Sequence, residues 1–140
     1  MPEAHENFRL LTEYYASYGD GGAEGIARML SFYASDKTTY IAGDSVISGH
    51  MKSQEESAER FRQLVELNGG DMAIVGSPTI LVAGDTVVAA LVYERHHRPD
   101  REPIIVPRLC VYEVAEGKLK KAFAWQLESG AFDEYYPRQS

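Results

Sequence analysis

Three places in the chain gather side chains that can move a proton or steady a developing negative charge. Arg95-His96-His97 sets a permanent cation beside a pair of imidazoles; Glu128 follows Trp125-Gln126-Leu127; and Tyr14, Tyr15 and Tyr18 crowd phenols into one short segment. A carboxylate in an apolar pocket has a raised pKa because desolvation penalises its charged form, and histidine titrates near neutrality without tuning. Glu128 therefore reads as acid or base, with His97 as its complementary proton carrier. Arg95 would stabilise negative charge on a substrate oxygen, and Tyr14 or Tyr40 would hold that oxygen by its hydroxyl. Tyr40, Tyr93 and Trp125 read as the aromatic contacts to substrate.

Strands must aim these groups. Alternate residues of a strand share a face, so Val87, Ala89, Leu91, Tyr93, Arg95 and His97 form one series. It grows more polar toward its end, as the wall of a pocket does between an apolar base and a polar mouth. On the last strand Ala122, Ala124, Gln126 and Glu128 share a face on which the alanines leave space. Leu119, Phe123, Trp125 and Leu127 make the other, convex face apolar and call for a second subunit to cover it. With the opposite alternation, or a bulge, Glu128 is a solvated acid at a strand end. Of Arg108 and Glu113, on opposite faces of one strand, at most one points inward. The Tyr14, Tyr15 and Tyr18 stripe equally fits a helix face buried in a core.

The elements themselves are legible as periodicities. A helix over 6–17 places Phe8, Leu11, Tyr15 and Tyr18 at helical spacing and breaks at Gly19-Asp20-Gly21-Gly22. A second spans 23–32 with Ile26, Met29 and Leu30 on one face. A short strand at 38–41, a Gly43-Asp44 turn and a weaker strand at 45–48 follow. Ser53 with Glu56 forms a capping box for a third helix, which ends at Gly69-Gly70. Strands at 72–82, 86–97, 103–114 and 118–128 then make an antiparallel meander. Helices leading a meander give an α+β domain in which the helices cover the concave face of a twisted sheet.

Composition narrows the class. A length of 140 residues fits one domain. With 14 Lys and Arg against 21 Asp and Glu, and a formal charge of -7, a nucleic-acid groove is not expected. Cys110 is the single cysteine; it lies in an apolar run, where a buried, inert thiol and a reducing cytoplasm fit best. No stretch approaches the roughly 20 apolar residues of a membrane span, and the first residues are polar, so neither secretion nor membrane insertion is expected. His96 and His97 would point to opposite faces, and His5 and His50 have no partner at ligand spacing, so no metal site is expected. Nucleotide cofactors and covalent catalysis have no motif to support them.

Tyr14, the Gly19-Asp20-Gly21 break and Gly49 stand in an order that resembles the nuclear-transport-factor-like superfamily. So do Glu94-Arg95-His96-His97 with Pro107 and Val111-Tyr112-Glu113-Val114, and the segment from Trp125 to Phe132. That superfamily includes SnoaL-type polyketide cyclases, ketosteroid isomerases and limonene epoxide hydrolases. The resemblance implies a cone-shaped, curved antiparallel sheet wrapped around three N-terminal helices (a cystatin-like arrangement), an internal pocket and a homodimer. Matched to the limonene epoxide hydrolases, Arg95 falls on the family's arginine and Glu128 on its terminal carboxylate, while His97 stands where an aspartate is expected. Matched to ketosteroid isomerase, Tyr14 falls on the carbonyl-polarising tyrosine and Ile41 near the general base.

The resulting expectation is a cofactor-independent enzyme that isomerises, cyclises or ring-opens a small apolar, polyketide- or terpenoid-like molecule. The alternatives are a binding or dimerisation module without turnover, and an epoxide hydrolase with altered acids in which Glu128 activates water.

Overall fold

The computed structural model describes residues 2–138 except residue 20, and the side chains from residue 6 onward except those of residues 20 and 129. Helix α1 (Pro2–Ala16) turns Leu11, Tyr14 and Tyr15 inward, and Tyr18 is buried in the turn that follows. Asp20, within the expected glycine break, lies outside the described residues. Helix α2 (Gly22–Leu30) begins after Gly21, whose φ of 86° is open to glycine and strained for other residues. A Cβ on Gly25 would overlap the Tyr18 carbonyl, so α2 can lie this close to the end of α1 only without a side chain there.

Helix α3 (Gln54–Asn68) starts as its capping signal implies. The Ser53 side chain accepts from the Glu56 amide at 3.1 Å, and the Glu56 carboxylate reaches back to the Lys52 amide at 3.0 Å. Gly69, in the left-handed region at φ 63°, ends it.

Six strands, β1 (Tyr33–Ile41), β2 (Gly49–Met51), β3 (Met72–Ala83), β4 (Val87–His96), β5 (Ile104–Ala115) and β6 (Lys118–Gln126), form one curved, unclosed sheet in the order β2-β1-β6-β5-β4-β3. Every pair is antiparallel except β1 and β6, which run parallel. The strand expected at 45–48 is instead a turn, in which the Ser45 and Ser48 hydroxyls meet at 2.9 Å and Ser45 bridges to Pro137. Strand β1 starts at Tyr33, well before the expected Thr38. A short helix, α4 (Ser129–Tyr135), follows β6. Among the described residues, no helix is long and apolar enough to cross a membrane.

The concave face carries Ile41, Ala124, Cys110 and Ala90 in register across β1, β6, β5 and β4, all buried. A bulge in the β5–β6 ladder at Glu113 and Val114 turns Leu119 inward to full burial, against its expected outward position. The convex face is apolar too. Tyr40 pairs with Phe123, Phe123 stacks on Trp125, and Tyr93 and Leu127 stand exposed nearby. Phe8, expected in the core, is exposed beside β3, which as an edge strand has nothing beyond it to cover the ring.

Gly→Ala inside a helix ordinarily stabilises by about 0.5–1 kcal/mol. Gly25→Ala is expected to do the reverse and cost about 1–3 kcal/mol, because the added methyl meets fixed backbone. Urea denaturation would measure it, and a stabilised variant would mean that α1 and α2 are not in contact at this point.

Candidate functional site

Between the helices and the concave face lies a cavity of about 70 Å³, walled by Ile26, Met29, Phe61, Val92 and Ala122 and by a cluster of tyrosines. At about 10–15 Å³ per water, this is room for about five waters or the reacting end of a small organic molecule. Among the polar groups that line it are Tyr14, Tyr33, Lys37, Glu94, Arg108 and Tyr112.

Glu94 and Arg108 are held together by their strands. Arg108 on β5 is in register with Val92 on β4, so Glu94, two residues further along the same face, is its diagonal neighbour. One guanidinium nitrogen of Arg108 donates to the Glu94 carboxylate at 3.0 Å. The other carboxylate oxygen meets His96 Nε2 at 3.3 Å, and His96 Nδ1 meets the Tyr136 hydroxyl at 2.9 Å, which accepts from the Asn68 amide at 3.2 Å. Burial alone pushes the Glu94 carboxyl up, but Arg108 and His96 together outweigh it and bring it down to about 2. Glu94 is therefore a fixed anion at neutral pH and holds no proton to give.

Lys37 is the contrasting group. It shares the inward face of β1 with Thr39 and Ile41, is 1% exposed, and sets its amine 3.5 Å above the centre of the Tyr33 ring. Among the described residues it has no carboxylate partner. Burial, reinforced by the positive charge of Arg108, pushes the amine down to about 7. A cation over an aromatic face gains some attraction, but this does not replace a counter-ion. Lys37 thus exchanges between ammonium and free amine near neutral pH.

The tyrosines supply hydrogen-bond donors. The Tyr14 and Tyr33 hydroxyls lie 2.7 Å apart, and those of Tyr15 and Tyr112 lie 2.8 Å apart. In each pair one proton joins the two oxygens and the other is left to donate elsewhere. Burial pushes the Tyr14 phenol up to about 12 against the lowering effect of Tyr33, and pushes Tyr33 well up as well, so both stay protonated.

The expected site residues divide accordingly. Tyr14 lines the cavity. Arg95 and His97 do not, because β4 alternates in the other phase: Val88, Ala90, Val92, Glu94 and His96 point inward. Arg95 and His97 instead converge on Asp71 outside, at 2.8 and 2.9 Å, and tie the end of β4 to the start of β3. Glu128 falls beyond the last residue of β6 and is exposed at the start of α4, although Ala122, Ala124 and Gln126 do face inward as expected. Tyr40, Tyr93 and Trp125 all stand on the convex face, away from the cavity. Arg108 is the inward member of the Arg108 and Glu113 pair, and Cys110 is buried. Lys37 and Glu94 are cavity groups that the sequence expectation passed over. Their signals were the alternation of Lys37 with Thr39 and Ile41, and of Glu94 with Val92 and Ala90. Among the described residues no group of three or more His, Cys, Asp or Glu side chains is placed to hold a metal ion.

This architecture is the NTF2-like fold. The chain is similar to Bal32a from a soil-derived mobile gene cassette, with 20% identity over 96% of this chain and 98% of that one and a TM-score of 0.81. It is also similar to an NTF2-like protein of unknown function from Burkholderia pseudomallei, with 12% identity over 94% and 98% and a TM-score of 0.78. SalBIII, described as an epoxide hydrolase/cyclase-like enzyme with a role in pyran ring formation in the polyether salinomycin, matches with 17% identity over 91% and 95% and a TM-score of 0.68. No protein-family model matches the chain, and no curated protein matches it by sequence.

Arg108→Met leaves the Glu94 carboxylate buried without its main counter-ion and is expected to cost about 3–5 kcal/mol in urea unfolding at pH 7. The wild-type carboxyl titrates below its unfolded value, so the stability it contributes is complete above about pH 4.5 and is lost toward pH 2. In the variant, burial raises the carboxyl and it protonates earlier, relieving the defect. The stability gap between the two proteins should narrow as pH falls toward about 2, where the wild-type carboxyl also protonates; a constant gap would reject the ion pair as its source.

Proposed function

We propose that this chain is a cofactor-independent acid/base enzyme that isomerises, cyclises or ring-opens a small, largely apolar oxygenated molecule of polyketide or terpenoid type. The observation that carries the proposal is Lys37: a buried amine without a carboxylate partner, opening onto an apolar cavity beside the Tyr14–Tyr33 hydroxyl pair. A base with a pKa near the working pH combines adequate basicity with an adequate free fraction. In this proposal Lys37 takes the proton from carbon or oxygen of the substrate. The free proton of the Tyr14–Tyr33 pair holds the substrate oxygen, and Arg108, charged at every relevant pH, stabilises negative charge that develops on it. Glu94 keeps Arg108 in position. The acid/base role thus passes from Glu128 and His97 to Lys37, while Tyr14 keeps the role its place on α1 suggested. SalBIII lends support, as a cyclase-like enzyme on the same fold.

A second copy of this chain is the cover we propose for the convex face. Tyr40, Phe123, Trp125 and Tyr93 form an aromatic surface of the composition found at the centres of stable interfaces.

Lys37→Met keeps the length and apolar stem of the side chain and removes the base. Against a panel of apolar ketones and epoxides it should lower turnover by about 10²–10⁴-fold, while ligands still raise the melting temperature. Ligand-induced stabilisation of both proteins with turnover by neither would instead identify a binding module. Trp125→Glu should convert a dimer to a monomer in sedimentation analysis with the fold retained; a monomeric wild-type protein would remove the proposed partner.

A further inference from the structure

We infer that Lys37 also acts as a nucleophile, forming an imine with the carbonyl carbon of an aldehyde or ketone that enters the cavity. The inference rests on the proposed function only in taking this cavity as the place where ligand binds.

The geometry isolates one lysine from the rest. Lys118 donates to the Ser31 carbonyl at 3.1 Å, Lys120 is paired with Asp36 at 2.8 Å, Lys121 lies 3.9 Å from Glu113, and Lys52 is exposed. Lys37 alone is buried among apolar and aromatic walls. The carboxylate that shares its cavity, Glu94, is already engaged by Arg108 and His96. An amine that cannot keep a counter-ion loses its proton readily, and the free amine is the form that attacks carbon. Thr39, buried beside it on β1, is held by the Ser57 hydroxyl at 3.3 Å, so the strand that carries Lys37 is anchored to α3.

The surroundings supply the rest of the reaction. The amine lone pair attacks the carbonyl carbon, and the C=O π pair moves to oxygen, which takes a proton from the Tyr14–Tyr33 hydroxyl pair to give a carbinolamine. The nitrogen returns one of its two protons to the hydroxyl pair, which passes it on to the carbinolamine oxygen; the freed nitrogen lone pair expels that oxygen as water, and the second nitrogen proton restores the hydroxyl pair. One amine and one carbonyl become one imine and one water, without any oxidant or reductant. If the imine is protonated, the Tyr33 ring below the nitrogen offers its negative face to the charge. A protonated imine draws electrons from the adjacent carbon, so the same lysine would prepare a substrate for rearrangement.

The test is trapping. The full-length protein is treated at pH 7 with benzaldehyde and, separately, with phenylacetone, each with sodium cyanoborohydride, and every lysine peptide is quantified by mass spectrometry. Lys37 should be alkylated more than about tenfold faster than Lys52, Lys118, Lys120 or Lys121, because burial without a counter-ion keeps a share of its amine unprotonated at this pH. Its rate should level off above about pH 7. In urea the preference should vanish. Modification of the surface lysines with Lys37 unmodified would overturn the inference. Turnover assayed in parallel separates the two proposals. Lys37-dependent turnover without an adduct leaves the lysine a proton carrier and removes only the imine; an adduct without turnover keeps the nucleophile and removes the acid/base enzyme.

Discussion

Arg108 and Glu94 occupy a space walled by Val92, Cys110 and tyrosine rings, in which burying either charge alone would cost several kcal/mol. Each makes the other tolerable, and together they fix the register of β4 on β5. A slip of β4 by one residue would turn Glu94 onto the apolar convex face, leave Arg108 buried alone and part His96 from Tyr136. Register in turn decides which residues wall the cavity. The tyrosines of α1 then dock against Tyr112 and Tyr33, which the same strands present to them. The ion pair serves stability only as long as it is intact; its larger contribution is to specify one arrangement of the sheet.

That commitment has an effect on β1. With Glu94 engaged, the cavity has no carboxylate left for Lys37, and the amine is buried at a cost. Its folded pKa lies below its unfolded value, so between about pH 7 and 10 the unfolded chain binds more protons, and the penalty for folding grows as pH falls through that window. Stability is therefore given up at the point where the chemistry is proposed, as is common for sites built to react.

The helices, their caps and the meander could be read from spacing and turn chemistry, because each is decided within a few residues. Ser53 with Glu56 and Gly69 mark α3 as the structure has it. The phase of β4 could not be read in the same way. Val-Val-Ala-Ala-Leu-Val-Tyr is apolar on both faces since both faces are covered or apolar in the fold, so alternation gives a period without a direction. One unused signal lay in β5. If the lone Cys110 is taken as buried, parity makes Arg108 inward and Glu113 outward, and carrying the register back across the hairpin makes Glu94 inward and Arg95 outward. Lys37 was harder to see, because a lysine in a polar-looking segment ordinarily signals solvent, and only Thr39 and Ile41 beyond it hint otherwise. Glu128 failed for a different reason: the strand stops at Gln126, and alternation has no meaning past its end.

The parallel pairing of β1 with β6 gives the molecule a history as well as a shape. The strand bearing Lys37 is made well before its partner, and Thr38 and Ile41 can pair with Lys121 and Ala124 only once β6 has been made. Contacts between residues so distant in sequence form slowly. Until they form, Lys37 is an ordinary hydrated ammonium, protonated and inert toward carbonyl metabolites. The reactive amine comes into being with the docking of β6, so a chain that lacks that strand would not carry it.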